Sequence, residues 1–239
     1  MKLYYGLTNY HLLCSILHKL VYFPDEKAIF VASEGRTKDR IEILRKLKIF
    51  DEVYYIEDKK LRNESLNDTL TEQSSDLEIE NIAREYVCKY EKVLPFDMKK
   101  MDDFYIFADH GAFGLYLLIK KQKFIYIEDA RGIYSKWKDL ARIIKAKDLG
   151  MHIMSVYYKA YGRSDLITQN YVAYDSQLEG CDFNNCVDFD VNVLLDKLDS
   201  EQLNEVFEVF KFKKYETKSE QKNALILTQR FSTFKLLTR

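Results

Sequence analysis

The first half of the chain alternates between short apolar runs and segments with helical spacing of apolar residues. Residues 1–5, 27–32 and 53–56 are short runs of strand type, and the segments between them carry apolar residues every three or four positions. In the first helical segment these positions are Leu12, Leu13, Ile16, Leu17 and Leu20. Successive strand–helix steps predict an α/β fold, with a Rossmann-like, doubly wound and mainly parallel sheet joined by right-handed crossovers.

The same pattern continues to about residue 210. It predicts further strands at 104–108, 124–127 and 166–173, and helices at 37–47, 77–90, 112–120, 134–147 and 191–210, the last with a break near Asp199. Residues 58–76 are instead dominated by Asn, Ser, Thr, Glu and Lys. This composition predicts a mobile, solvated connection before the helix at 77–90.

The end of the chain predicts a domain boundary. Residues 211–222 are a charged linker, and residues 223–227 form a new apolar strand with only twelve residues after it. A compact unit usually needs at least about 50 residues. We therefore expect a first domain at 1–210, a linker at 211–222 and the start of a second domain at 223–239, which makes the chain the N-terminal half of a larger protein.

Polar residues suited to chemistry follow three of the predicted strands. They are Asn9 and His11 after the first strand, Asp109 and His110 after the strand at 104–108, and Glu128 and Asp129 after the strand at 124–127. The carboxyl ends of parallel strands meet at one edge of a sheet, so a shared cleft is expected there. Helix capping and turn formation remain the alternative roles for each of these residues.

Several kinds of site find no support in the sequence. There is no paired-histidine metal motif, no G-x-S-x-G elbow and no phosphate-binding glycine loop, and Gly111 and Gly114 do not complete a dinucleotide fingerprint. The four cysteines lack metal-binding spacing and are expected to be reduced thiols: Cys14, Cys88, Cys181 and Cys186. The sequence therefore predicts neither a metal nor a nucleotide cofactor in this part of the protein.

The net charge and hydropathy of the chain limit the partners and the cellular location that the sequence predicts. The 239 residues carry a formal net charge of -1, so no overall field draws the protein to nucleic acid. No apolar run approaches the roughly 18 to 20 residues of a membrane span, and the chain opens on a strand rather than a signal peptide. We expect a cytoplasmic protein with no nucleic-acid partner.

The order of elements and the acidic pair at 128–129 give the chain a family resemblance. It resembles bacterial sialyltransferases and polysialyltransferases of capsule and lipooligosaccharide synthesis, which are glycosyltransferases of the GT-B type. In that family a strand of the N-terminal domain ends in two acidic residues and a glycine. Glu128 and Asp129 match this motif, whereas Ala130 stands at the glycine position and Gly132 follows two places later. The family's His-Pro motif belongs to the C-terminal domain and is absent from this chain.

The resemblance implies the N-terminal domain of a GT-B fold and a metal-independent, inverting sugar transfer. A carboxylate deprotonates an acceptor hydroxyl, which attacks the anomeric carbon of a nucleotide sugar, CMP-sialic acid in this family. Glu128 is the preferred base and Asp129 its partner, with the reverse assignment open. The expected acceptor contacts are Asn9, His11, Asp109, His110 and Arg131. The partners would be the nucleotide-sugar donor and a glycan acceptor, and a peripheral association with the inner face of the membrane stays open.

Two other functions compete with sugar transfer. The first is a truncated, non-catalytic domain that binds a glycan or a protein partner. The second is a flavodoxin-like or response-regulator-like signalling module, which needs a phosphoacceptor aspartate at a strand end and a nearby lysine. Asp109 with Lys120 or Lys123 would have to fill those roles.

Overall fold

A parallel sheet of seven strands forms the centre of the computed structural model, which describes residues 1–33, 37–129, 148–172 and 185–212. The strands are β1 (Lys2–Gly6), β2 (Ala28–Ser33), β3 (Glu52–Ile56), β4 (Asp103–Ile106), β5 (Phe124–Ile127), β6 (Ile167–Val172) and β7 (Cys186–Asp188). Their order in the sheet is β3-β2-β1-β4-β5-β6-β7, and every neighbouring pair is parallel.

Helices cover both faces of the sheet. They are α1 (Asn9–Tyr22), α2 (Ile41–Leu47), α3 (Asp58–Arg62), α4 (Asp76–Glu91), α5 (Ala112–Ile119), α6 (Leu149–Tyr157), α7 (Val191–Asp196) and α8 (Ser200–Phe210). One apolar core lies between the sheet and α3 to α6, and a second lies between the sheet and α1, α2, α7 and α8. The predicted Rossmann-like, doubly wound α/β fold is therefore confirmed.

The inner strand β1 shows why this sequence folds in this way. All five residues of β1 are buried, with Leu3 and Tyr5 in one core and Tyr4 in the other. A strand covered on both faces reads as a continuous apolar run, which is the pattern found at the start of the chain. Because β1 pairs with both β2 and β4, the strand order reverses beside it. A crevice opens at such a reversal, at the carboxyl ends of the strands.

Most predicted elements are present, and the differences are local. All six predicted strands within the described residues form, and the helix at 191–210 breaks before Ser200 as expected. The short edge strand β7 was not predicted, and α6 contains His152, which the sequence places in a helical stretch without predicting its bounds. The predicted turn at 34–36, the helix at 134–147 and the strand at 223–227 lie outside the described residues.

The prediction for residues 58–76 was wrong in its first half. Helix α3 begins at Asp58 and continues into a π-helical turn, Asn63–Asn67. Leu66 and Leu70 are buried in the core beneath α4. The polar composition was misleading because many of these polar side chains form hydrogen bonds within the protein instead of with water.

Asp58 is the clearest such case. It is buried, and its Oδ2 accepts hydrogen bonds from the hydroxyls of Tyr5 at 2.6 Å and Tyr90 at 2.5 Å. Its Oδ1 accepts one from the Ser33 hydroxyl. Burial, together with the charge of Asp58, raises the pKa of both tyrosines well above the usual value. One carboxylate thus joins the ends of β1 and β2 to α3 and α4.

A close backbone contact holds α6 against the π-helical turn. A Cβ placed on Gly150 would lie 1.9 Å from the carbonyl oxygen of Leu66, and the next amide, Met151, donates to Asn67 Oδ1 at 2.8 Å. Only glycine fits at this position without moving one of the two backbones.

We expect Gly150→Ala to lower the free energy of unfolding by about 1–3 kcal/mol, the usual cost of overpacking. In an unobstructed helix the same change would stabilise by roughly 0.5–1 kcal/mol, so the sign of the change tests the contact. Urea denaturation measures it. A Gly150→Ala protein as stable as the wild type or more stable would show that α6 does not pack this closely.

Within the parts of the chain that the structure describes, none of the helices combines the length and apolar character needed to cross a membrane.

Candidate functional site

Two of the three predicted strand ends meet at the carboxyl edge of the sheet. Asp129 lies two residues beyond β5, and its Oδ1 is 2.5 Å from Nε2 of His11, in the first turn of α1 after β1. The two residues are 118 positions apart in the sequence. This contact bridges the loops after β1 and β5 beside the point where the strand order reverses.

Hydrogen bonds and a ring contact fix the position of His11. Its backbone N–H donates to the Thr8 hydroxyl, which caps α1, and its Nδ1 accepts the Leu7 N–H at 3.1 Å. The ring is buried and stacks on Phe107 with 4.5 Å between centroids and 6° between planes. Because Nδ1 is an acceptor, the proton lies on Nε2 and is donated to Asp129. His11 therefore orients Asp129 and has no surface of its own to offer a ligand.

Asp129 is charged and partly accessible. Burial alone would raise the pKa of its carboxyl, but the hydrogen bond that His11 donates, with a smaller effect of the nearby His110, brings the pKa below the usual value. The side chain keeps 31% of its surface exposed. Since His11 holds Oδ1, the second oxygen is the one available to a bound molecule.

The lowered pKa predicts a pH-dependent contribution to stability. A carboxyl whose pKa falls on folding stabilises the protein above its unfolded-state value, about 3.9, and this contribution is lost as the pH falls through the lower folded-state pKa. We expect Asp129→Asn to be less stable than the wild type at about pH 7, with the difference shrinking below about pH 4. Urea denaturation of both proteins across this range measures it. An unchanged difference at acid pH would contradict the charged pairing.

Glu128 lies beside this pair but is less accessible. Its backbone N–H extends the ladder with β6 by donating to the Tyr171 carbonyl at 2.9 Å, and the residue is only 8% exposed. Burial and the charges of Glu128 and Asp129 raise the pKa of the Cys14 thiol, on α1, to about 12. Both acidic residues thus lie close to α1, and Asp129 has the larger exposed surface.

Asp109 does not fit the predicted role of an acceptor contact. It is completely buried, and its two oxygens accept the backbone N–H groups of Tyr161 at 2.7 Å and Gly162 at 2.8 Å. The carboxylate therefore anchors the turn after α6. The same burial argues against a phosphoacceptor role, and Lys120 pairs with Glu91 at 3.0 Å.

His110 follows β4 at the carboxyl edge of the sheet and contacts Tyr161, a residue that was not predicted to belong to the site. Its ring stacks on Tyr161 with 4.8 Å between centroids and 21° between planes, and 28% of its side chain is exposed. Tyr161 follows α6, and the residues around it match no motif for chemistry. Nothing in the local sequence indicates its contact with His110.

The remaining predicted contacts are less informative. Asn9 is exposed at the start of α1, on the same edge of the sheet. Arg131 lies outside the described residues. In the ranges that the structure describes, no group of three or more His, Cys, Asp or Glu side chains is placed to hold a metal ion.

Comparisons with known proteins add no relative to this geometry: protein-family models, curated proteins and solved structures all gave no match to the chain.

Proposed function

We propose that this chain carries the acceptor side of an inverting glycosyltransferase, with Asp129 as the general base. The observation that carries the proposal is the contact of Asp129 Oδ1 with His11 Nε2, 2.5 Å long, at the carboxyl edge of the sheet. A partly exposed, oriented carboxylate at a strand-order reversal is suited to binding and deprotonating a hydroxyl.

In the proposed reaction the acceptor hydroxyl gives its proton to Oδ2 of Asp129. The hydroxyl oxygen forms a bond to the anomeric carbon of a nucleotide sugar from the face opposite the leaving group. The bond from that carbon to the nucleotide oxygen breaks, and the nucleotide departs with the bonding electrons, as CMP if the donor is CMP-sialic acid. His11 keeps its proton and holds Oδ1 in place throughout.

This proposal reverses the preferred order of the two acidic residues. The side chain of Asp129 is partly exposed and held by His11, whereas Glu128 is buried. A base with a lowered pKa is ionised at neutral pH, and it takes the proton late, when bond formation to the anomeric carbon has made the hydroxyl acidic. Glu128 then acts nearby through its charge, and Asn9 and His110 remain the proposed acceptor contacts.

The test uses the product of the complete open reading frame that encodes this chain. It is incubated with CMP-sialic acid and lactose, CMP is quantified by chromatography, and the anomeric configuration of the product is read by NMR. We expect CMP release that depends on the acceptor, and inversion at the anomeric carbon. If CMP-sialic acid and a panel of other nucleotide sugars all give no acceptor-dependent release, the proposal fails, and saccharide binding without release would favour a non-catalytic glycan-binding domain.

A further inference from the structure

Phe107 follows β4 directly and is completely buried. Its ring stacks in parallel on the imidazole of His11, with 4.5 Å between centroids and 6° between planes. Through Nε2, at 2.5 Å, the same imidazole contacts Asp129 Oδ1. A continuous chain of contacts from Phe107 through His11 to Asp129 therefore joins the ends of β4, β1 and β5.

The stack restrains the imidazole in a direction that its hydrogen bonds do not. Nδ1 accepts the Leu7 N–H and Nε2 binds Asp129, and both nitrogens form their hydrogen bonds in the plane of the ring. Tilting out of this plane is opposed by the flat ring of Phe107. The imidazole also lies close to the backbone of β1, because a Cβ on Gly6 would be 3.1 Å from the Cβ of His11. The place of Asp129 Oδ1 thus depends on the Phe107 ring.

We infer that Phe107 is a positioning residue for the proposed base: acting through His11, it holds the carboxylate of Asp129 in the orientation that receives the proton of the acceptor hydroxyl. The inference rests on the proposed function and extends it to a side chain that has no polar atom and no exposed surface. The rate of proton transfer depends steeply on the alignment of base and hydroxyl. Removal of the ring should therefore slow the chemical step and leave binding of the acceptor unchanged.

The same stack bears on the charge of Asp129. Burial would raise the pKa of this carboxyl, and the hydrogen bond from His11 opposes that effect. A tilted imidazole donates a weaker hydrogen bond, so the pKa of Asp129 should rise when the Phe107 ring is removed. Besides His11, the described titratable groups whose charges are linked to this part of the site are Cys14, His110, Tyr126 and Glu128. The variants below leave all of them in place.

The test compares Phe107→Leu with the wild type, both as products of the complete open reading frame, by initial rates of CMP release from CMP-sialic acid and lactose. We expect kcat to fall about 10-fold and the KM for lactose to change less than about 2-fold, because Phe107 does not touch the acceptor. Titration of the ¹³C-labelled Asp129 carboxyl by NMR, assigned with Asp129→Asn, should show a raised pKa. Phe107→Met fills the space with a flexible chain and should change kcat and pKa in the same directions.

Phe50→Leu is the matched control. Phe50 is a buried phenylalanine of the same core, and its described ring contacts are with Tyr4 and Phe30. This variant loses a buried ring but should keep the wild-type kcat and the wild-type pKa of Asp129. A wild-type kcat and pKa in both Phe107 variants would overturn the inference, as would an equal loss of kcat in Phe50→Leu, which would show general destabilisation.

A measurement on the wild type covers the case in which neither Phe107 variant folds. The ¹⁵N NMR signals of His11 should report one tautomer, with the proton on Nε2, because the ring cannot reorient. A mixture of tautomers would show that the stack does not fix the imidazole and would overturn the inference.

Failure of the proposed function gives a different result. A pKa of Asp129 that rises in Phe107→Leu and not in Phe50→Leu, without acceptor-dependent nucleotide release by any of the proteins, would support the positioning and reject the transferase. Acceptor-dependent release by the wild type, with kcat and pKa unchanged in the Phe107 variants, would do the reverse.

Discussion

Asp129→Asn is expected to reduce sugar transfer by about 100- to 10,000-fold, the usual contribution of a placed general base. The asparagine has the shape of aspartate, and its oxygen can still accept the proton of His11 Nε2, so the protein should stay folded. It cannot take a proton from an acceptor hydroxyl. Initial rates of CMP release at saturating lactose measure the effect, and near-UV circular dichroism reports the fold.

Two variants make this result specific. Asp68→Asn removes the same charge at an exposed position after α3 and should leave the rate unchanged. Glu128→Gln should reduce the rate of sugar transfer less than Asp129→Asn does if Asp129 is the base. A larger loss in Glu128→Gln, or a near-normal rate in Asp129→Asn, would show that the assignment of the two acids is wrong.

The contact between His11 and Asp129 shows how much of the site can be predicted from sequence patterns. Strand ends are visible as apolar runs that stop at polar residues, so the sequence predicted that Asn9, His11, Asp109, His110, Glu128 and Asp129 share one edge of the sheet. It did not predict that His11 would bind Asp129. That pairing joins residues 118 positions apart and depends on the Leu7 amide and the Phe107 ring, which fix the imidazole.

Buried polar residues were the second feature that sequence patterns did not predict. Asp109 looked like a cleft residue because aspartate is usually exposed, and residues 58–76 looked solvated for the same reason. In the structure, Asp109 binds amides 52 and 53 positions away, and Asp58 binds hydroxyls 53 and 32 positions away. A polar residue gives the same sequence signal whether its partner is water or a distant part of the chain. Only the folded topology separates the two cases.

Asp58→Ala should have the largest effect on stability, lowering the free energy of unfolding by about 3–5 kcal/mol. The change removes the shared acceptor of three buried hydroxyls, those of Tyr5, Tyr90 and Ser33. Each buried hydroxyl left without a partner costs about 1–3 kcal/mol, with some relief from rearrangement or an entering water. Urea denaturation at neutral pH measures the loss.

Graded variants separate the hydrogen bonds from the loss of side-chain volume. Asp58→Asn has nearly the same volume and keeps an acceptor oxygen, but its NH₂ group faces a hydroxyl that can only adapt by rotating. The free energy of unfolding of Asp58→Asn should therefore lie between those of the wild type and Asp58→Ala. Tyr90→Phe removes one donor and leaves two, so it should cost about 1–2 kcal/mol. If Asp58→Asn were as damaging as Asp58→Ala, the charge would matter more than the acceptor geometry. If all three variants were as stable as the wild type, the carboxylate would not join these strand ends in solution.

Because β1 and β2 both end at this carboxylate, its loss should also loosen the edge of the sheet that carries His11. Asp58→Ala is therefore expected to slow acceptor-dependent CMP release although Asp58 is buried and offers no surface to a ligand.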